Sequence, residues 1–256
     1  MTPDQDWNYF AKDPEYSELL RRRLSDGIEM DSAKALAAYV AKHLSGDLQI
    51  LDFGSGPGHY WPVIASRYKN GALSYVGVDI DEANIRYGAD FFREDPRVQM
   101  RLGSVLEPAA VAGVGEINTV VSANTLPHVP TVVPLLRWLA DNSGIRAFVF
   151  RMLMGAECVQ IKKHLRVDDF DAMFERDFQF NNIYSMAFLN HHLGASWRLE
   201  CEPDVFDLAR LQHHRVPGRR EGDDEFYGHR VSRAVEGLTF KGEVYMPWKF
   251  VIGKRT

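Results

Sequence analysis

No apolar run in this chain of 256 residues approaches the roughly 20 residues that a membrane helix needs, so no span is expected. Cysteine is nearly missing. The two present, Cys158 and Cys201, form no metal-ligand pattern and read as buried free thiols suited to a reducing cytoplasm. A surplus of positive charge is missing too. The net charge is −5 and the isoelectric point about 6.0, which excludes a general basic footprint for nucleic acid. Residues 1–6 are polar and acidic, unlike a signal peptide. Internal repeats and low-complexity tracts are lacking. These absences point to a cytoplasmic protein that deals with a small molecule, with neither nucleic acid nor membrane as partner.

What is present is organised around residues 48–59, LQILDFGSGPGH. An apolar run carries an acid, Asp52, and three glycines follow at alternate positions, Gly54, Gly56 and Gly58. A short continuous apolar run reads as a buried parallel strand. Glycine admits positive φ and lets the backbone approach a ligand closely. The helix start near Tyr60 then supplies free N–H groups. This predicts a nucleotide-type cradle. The dinucleotide fingerprint G-x-G-x-x-G needs a third glycine where His59 stands, which disfavours NAD.

Around this stretch strands and helices alternate. A helix is expected from about Ser32 to Leu44, and another from Tyr60 to Tyr68. Strands are expected at 72–80, 97–102, 117–122 and 145–152, with helices from Asp81 to about Arg93 and from Thr131 to Asp141. Such alternation implies a parallel sheet with helices on both faces and ligands at the strand C-termini. Beyond Met152 the pattern changes. Helices are expected near 157–165, 167–176 and 185–193, a strand at 197–208, a polar segment at 209–237 and closing strands at 238–253. Trp7, Tyr9, Phe10 and Tyr16 read as aromatics packed on the main body or, alternatively, as a lid over a ligand.

Asp79 ends the second strand, where an acid can accept both hydroxyls of an adenosine ribose. Gly103-Ser104-Val105 follows strand three, and Ser122-Ala123-Asn124-Thr125-Leu126-Pro127-His128-Val129 follows strand four. With Asp52-x-Gly54-x-Gly56-x-Gly58, these segments resemble, in order and spacing, the class I S-adenosylmethionine (SAM)-dependent methyltransferases over about 47–152. Residues 239–254 resemble the closing strands of that family. The resemblance implies a doubly wound, Rossmann-like α/β fold of about seven strands, the last antiparallel, with an N-terminal helical cap. It also implies one methyltransferase domain over 1–256, divided into a cap (1–46), a SAM-binding core (47–155) and an acceptor-side part (156–256). SAM becomes the expected cofactor and S-adenosyl-L-homocysteine the product. Carried over residue by residue, Asp52 heads the first cofactor motif. Gly54, Gly56 and Gly58 lie against the methionine and ribose, and His59 faces the methionine end. Asp79 takes the ribose. Ser104 takes the adenine edge, where the family commonly has Asp, and the backbone of Ala123 and Asn124 approaches the amino-acid end.

An oxygen acceptor with a high pKa must lose a proton, work that suits histidine. His128, just past strand four, is the expected base, although a packing role explains its position as well. His43 and His164 read as surface residues of helices, and the pairs 191–192 and 213–214 lack the companions of a metal site. The polar-aromatic patch 181–185, with Tyr184, suits sugar hydroxyls or a capped helix start. Arg219 and Arg220, in a segment of balanced charge, are candidates for an acceptor anion or for a solvated loop. The expected activity is methylation of a small molecule, at oxygen on a sugar or glycan precursor. The rivals are N-methylation of a small amine and a SAM-binding protein without catalysis.

Overall fold

A computed structural model describes residues 13–111, 117–164, 178–204, 232–235, 238–241, 244–245 and 247–256. Two helices come first, α1 (Pro14–Ser25) and α2 (Asp31–His43). Asp13 caps α1 by accepting from the amides of Glu15 and Tyr16, and Pro14 occupies the first turn, where its missing N–H costs nothing. The regular part follows as β1 (Leu48–Phe53), α3 (Trp61–Arg67), β2 (Leu73–Asp79), α4 (Glu82–Phe91), β3 (Val98–Leu102) and a single helical turn, α5 (Pro108–Val111). Then come β4 (Thr119–Ala123), a 3-10 turn (Leu126–His128), α6 (Val133–Asp141) and β5 (Ala147–Gly155). Asp81 caps α4, as its place after β2 predicts, by accepting from Ala83 and Asn84 amides.

The principal sheet runs β3-β2-β1-β4-β5-β13-β9, with β9 at Trp197–Pro203 and β13 at Trp248–Arg255. The first five strands are parallel, and β13 runs antiparallel to both of its neighbours. The expected seven strands with an antiparallel last one are therefore present. Strand order reverses between β1 and β4, so the crevice for a ligand lies outside their carboxyl ends. Both faces of the sheet are covered. Leu51, Phe53, Phe148 and Phe150 pack toward α6 and the later helix α7 (Met186–Leu193), and Ile50, Tyr75, Val149 and Phe250 toward α2 and α3. Arg255 ties β13 to α6 by donating to the carbonyls of Leu139 and Asn142, which satisfies the orphan acceptors of the helix end.

Three expectations fail. The helix at 157–165 is replaced by β6 (Lys162–His164), which pairs antiparallel with β7 (Phe178–Phe180), so His164 lies on a strand. A two-residue strand, β8 (Tyr184–Ser185), pairs with the end of β5, and Ser185 also caps α7. Cys158 and Cys201 are exposed rather than buried. His43 is not a surface residue: its side chain is 8% exposed, with Nε2 2.9 Å from Glu202 Oε1. The strand expected at 197–208 is described as far as Pro203. The helix expected at 167–176, Trp7, Tyr9, Phe10 and His213–His214 lie outside the described residues. Within 232–245 a small antiparallel sheet holds β10 (Ser232–Val235), β11 (Leu238–Lys241) and β12 (Val244–Tyr245). No helix among the described residues is long and apolar enough to cross a membrane.

Candidate active site

Residues 54–58 turn the chain at the end of β1. Gly54, Gly56 and Gly58 all have positive φ, at 76°, 55° and 86°. At Gly54 a side chain is also excluded by space, since a Cβ would fall 1.9 Å from Thr125 Oγ1. The β1 and β4 loops therefore abut at the switch point. Gly54 and Ser55 amides donate to the Val78 carbonyl, and Gly56 N donates to Asp79 Oδ2 at 2.8 Å. Asp79 Oδ1 accepts from Asp81 N at 2.9 Å. The half-buried Asp79 carboxylate is thus held at the end of β2, each oxygen oriented by one amide. Burial pushes its pKa up, against these amide hydrogen bonds.

Asp52 is 2% exposed, and Tyr75 on the neighbouring strand β2 donates to its Oδ2 at 2.6 Å. Burial raises its pKa to about 7. His59 is buried beside Gly56, stacked at a tilt on Tyr60 with centroids 4.7 Å apart. Burial, and then Arg23, depress its pKa to about 3, so the ring is neutral at pH 7. Its Nδ1 has no hydrogen-bond partner among the described residues. Ser104 accepts from the Leu106 amide at 3.1 Å, which leaves its hydroxyl proton to be donated.

Beyond β4 the site is built from side chains. Ala123 is buried, and Asn124 follows with φ 66°, the one positive φ outside glycine among the described residues. Asn124 Oδ1 accepts from Arg151 Nη1, while its amide donates to the Tyr60 hydroxyl at 3.0 Å. Arginine can only donate, so this contact fixes which way the Asn124 amide points. Arg151 also donates from Nε and Nη2 to Asp204 Oδ2 at 2.6 and 2.5 Å, and both side chains are nearly fully buried. Its guanidinium lies 4.3 Å from the Trp248 ring centroid. His128 packs edge-on to Trp248, with centroids 6.3 Å apart, and its Nδ1 lies 2.8 Å from the Phe180 carbonyl. A carbonyl only accepts, so this contact places a proton on Nδ1, while Gln179 Nε2, a donor 3.3 Å from the same nitrogen, makes the longer contact.

Arg151, Asp204, Tyr60 and Trp248 were not anticipated. One signal was present: Arg151 is the single charge inside the run AFVFRMLMG of β5. Tyr184 lines a cavity of about 250 Å³ with Thr131, Cys158, Gln160, Asn182 and Phe188. Its hydroxyl accepts from Asn182 at 3.2 Å, and Asn182 Oδ1 is buried without a hydrogen-bond partner among the described residues. Arg219 and Arg220 lie outside the described residues. Away from the cleft, His43, Glu200 and Glu202 offer ligand atoms within 4.8 Å of one another. Lys42 already donates to both Glu202 oxygens, which makes this group an ion-pair clamp between α2 and β9.

The backbone turns at the switch point, the Asp79 carboxylate at the end of β2 and the buried, orphaned His59 Nδ1 beside Gly56 are compatible with SAM. Comparison agrees with this geometry. Residues 50–141 match the family model of a methyltransferase domain. No curated protein matches the sequence at a significant level. Among solved structures, a chain from a Haloferax volcanii complex of a methyltransferase activator with a methyltransferase superposes with a TM-score of 0.56 at 10% identity, covering 94% of this chain and 96% of that one. A SAM-dependent methyltransferase from Clostridium acetobutylicum gives 0.52 at 9% identity, over 94% and 98%. The cyclase SpnF gives 0.50 at 14%, over 87% and 81%. At such identities these likenesses show the fold alone. Residues 50–141 thus form a methyltransferase domain on this sheet, with the fold of solved SAM-dependent methyltransferases.

Proposed function

We propose that this methyltransferase acts on an oxygen of a small acceptor, a sugar or glycan precursor, with His128 as the base. The observation that carries the reading is the His128 tautomer. The Phe180 carbonyl at 2.8 Å, nearer than Gln179 Nε2 at 3.3 Å, supports a proton on Nδ1, the tautomer whose Nε2 lone pair a hydroxyl proton needs. When bound, SAM supplies a methyl group already activated on a sulfonium. The protein then has three tasks: to hold the acceptor in line, to exclude water and to take the proton at Nε2. In this reading Asp79 accepts the ribose hydroxyls and Ser104 donates to the adenine edge. The glycine turn lies along the methionine and ribose, and Ala123 and Asn124 adjoin the amino-acid end. The acceptor enters past Tyr184, whose cavity offers the Asn182 carbonyl oxygen and the Thr131 hydroxyl to sugar hydroxyls. Residues 1–256 work as one domain in the cytoplasm, where two unpaired cysteines are at home.

The test is a product assay. The protein is incubated with SAM and a metabolite extract, and the products are read by mass spectrometry. A gain of one methylene on a hydroxylated sugar supports the reading. Methylation confined to amines gives the site to N-methyl transfer, where His128 has no proton to take. The cyclase that shares the fold shows why the acceptor must be measured rather than read from architecture.

A further inference from the structure

Asn182 stands between the Tyr184 cavity and the segment that carries His128. Its main-chain N–H donates to the Pro127 carbonyl at 2.8 Å, and its side-chain Nδ2 donates to the Val129 carbonyl at 2.8 Å. These carbonyls lie just before and just after His128 in the chain. The His128 ring meets the Phe180 carbonyl, two residues ahead of Asn182. The segment is tied on its other side as well: Asn181 N donates to the Ile161 carbonyl, and Ile183 and Val159 exchange main-chain hydrogen bonds. His128 is thus gripped at both flanking carbonyls and at its ring. The Val129 carbonyl only accepts, so the amide nitrogen of Asn182 faces it and Oδ1 points away. Asn182 is 3% exposed, and Oδ1 has no hydrogen-bond partner among the described residues. It belongs to a residue that lines the cavity of about 250 Å³. The Tyr184 hydroxyl accepts from Nδ2 at 3.2 Å, and burial pushes its pKa up to about 12, so it keeps its proton. Val133, Ile183 and Phe188 give the cavity apolar walls, and no charged side chain lines it among the described residues.

A buried oxygen without a donor carries a desolvation cost that a ligand O–H or N–H offsets. We propose that Asn182 is both a specificity-determining and a positioning residue: its Oδ1 takes a hydroxyl of an uncharged, ring-sized acceptor, while its two N–H groups hold the segment of His128. The inference rests on this cavity as the entrance of the acceptor and on His128 as the base. It narrows the acceptor to molecules that carry a donor at the end that enters. An ether or a ketone there leaves Oδ1 unpaired, and a carboxylate meets it with like charge.

Two ring probes and the imidazole nitrogens test it. In long-range proton–nitrogen spectra of protein with isotope-labelled histidine, the His128 signals are assigned by their loss in His128→Gln, and the wild type should show the proton on Nδ1. Cyclohexanol should shift these signals and bind about 3–10-fold more tightly than tetrahydropyran, a ring of similar size that only accepts. Asn182→Leu should abolish that preference and let the His128 nitrogens average between tautomers, and Asn182→Ala makes the same test if leucine does not fold. Tyr184→Phe should leave the His128 signals as they are. The ring comparison in the wild type needs no variant: equal affinities, or binding of neither ring, overturn the role of Oδ1. Unaltered His128 nitrogens in the Asn182 variants overturn the positioning role. A proton on Nε2 in the wild type overturns His128 as the base, and the positioning role with it, whatever the rings do.

Discussion

The two ends of the cleft are built by opposite means. At the β1–β2 end, main-chain groups do the shaping: three positive-φ glycines, amides on Val78 and amides on Asp79. At the β4–β5 end, side chains do it. Tyr60, Asn124, Arg151 and Asp204 form a chain of hydrogen bonds, and Trp248 lies between Arg151 and His128. In the proposed reading the first end takes the adenosine of SAM, and the second adjoins both its amino-acid end and the acceptor. The difference also separates the energetics. The backbone end excludes side chains at its positive-φ glycines, whereas the side-chain end contains a buried ion pair that punishes loss of either partner.

The sharpest way to break this contrast is at His128. His128→Ala should lower turnover by about 10²–10⁴-fold while SAM affinity stays nearly intact. A loss smaller than about threefold would mean that position and desolvation suffice. Next is Arg151→Ala, which leaves Asp204 as an uncompensated buried charge. It should cost about 3–5 kcal/mol in denaturant unfolding, and Arg151→Met with Asp204→Leu should recover much of it. At the backbone end, Asp79→Ala should weaken SAM by roughly 1.5–3 kcal/mol in calorimetry, with turnover at saturating SAM changed far less. If that variant unfolds the protein while Arg151→Ala does not, the contrast is reversed.

The smallest effect concerns Asp52. Its folded pKa of about 7 lies above the ordinary carboxyl value because of burial, so the folded state binds the extra proton. Wild-type stability should therefore fall as pH rises from about 4 to about 7, by at most about 1.4 kcal/mol per pH unit. In Asp52→Asn that slope should flatten, since an amide oxygen still accepts from Tyr75 and does not titrate. Parallel unfolding curves for the two proteins between pH 5 and 7 would show that Asp52 is not the titrating group.

The same contrast explains what the sequence revealed. The β1–turn–α3 unit, Leu48 to Arg67, the acid ending β2 and the Asp81 cap are local features, each contained in one short stretch of chain. The β4–β5 end is not local. Arg151 meets Asp204 across 53 positions and His128 meets Phe180 across 52. No periodicity reports such pairs, although the lone charge in β5 marked Arg151. The segment 157–165 failed for a related reason. Its residues suit a helix, but partners at Phe178–Phe180 supply a ladder that local propensity cannot foresee. Helix α1 was foreseen only within an N-terminal helical cap over 1–46; its bounds and what it covers were not.

The place of β13 sets a condition on biogenesis. It enters the sheet between β5 and β9, and it is later in the chain than both. A ribosome releases β9 some 45 residues before β13, which at cellular elongation rates is about 2–9 s. Through that interval β5 presents an unpaired edge of buried type, Ala147–Gly155, with Phe148 and Phe150 beside it. Such an edge recruits foreign strands. The nascent chain is therefore most exposed to chaperones, and most in need of them, after β9 has emerged and before Trp248 follows.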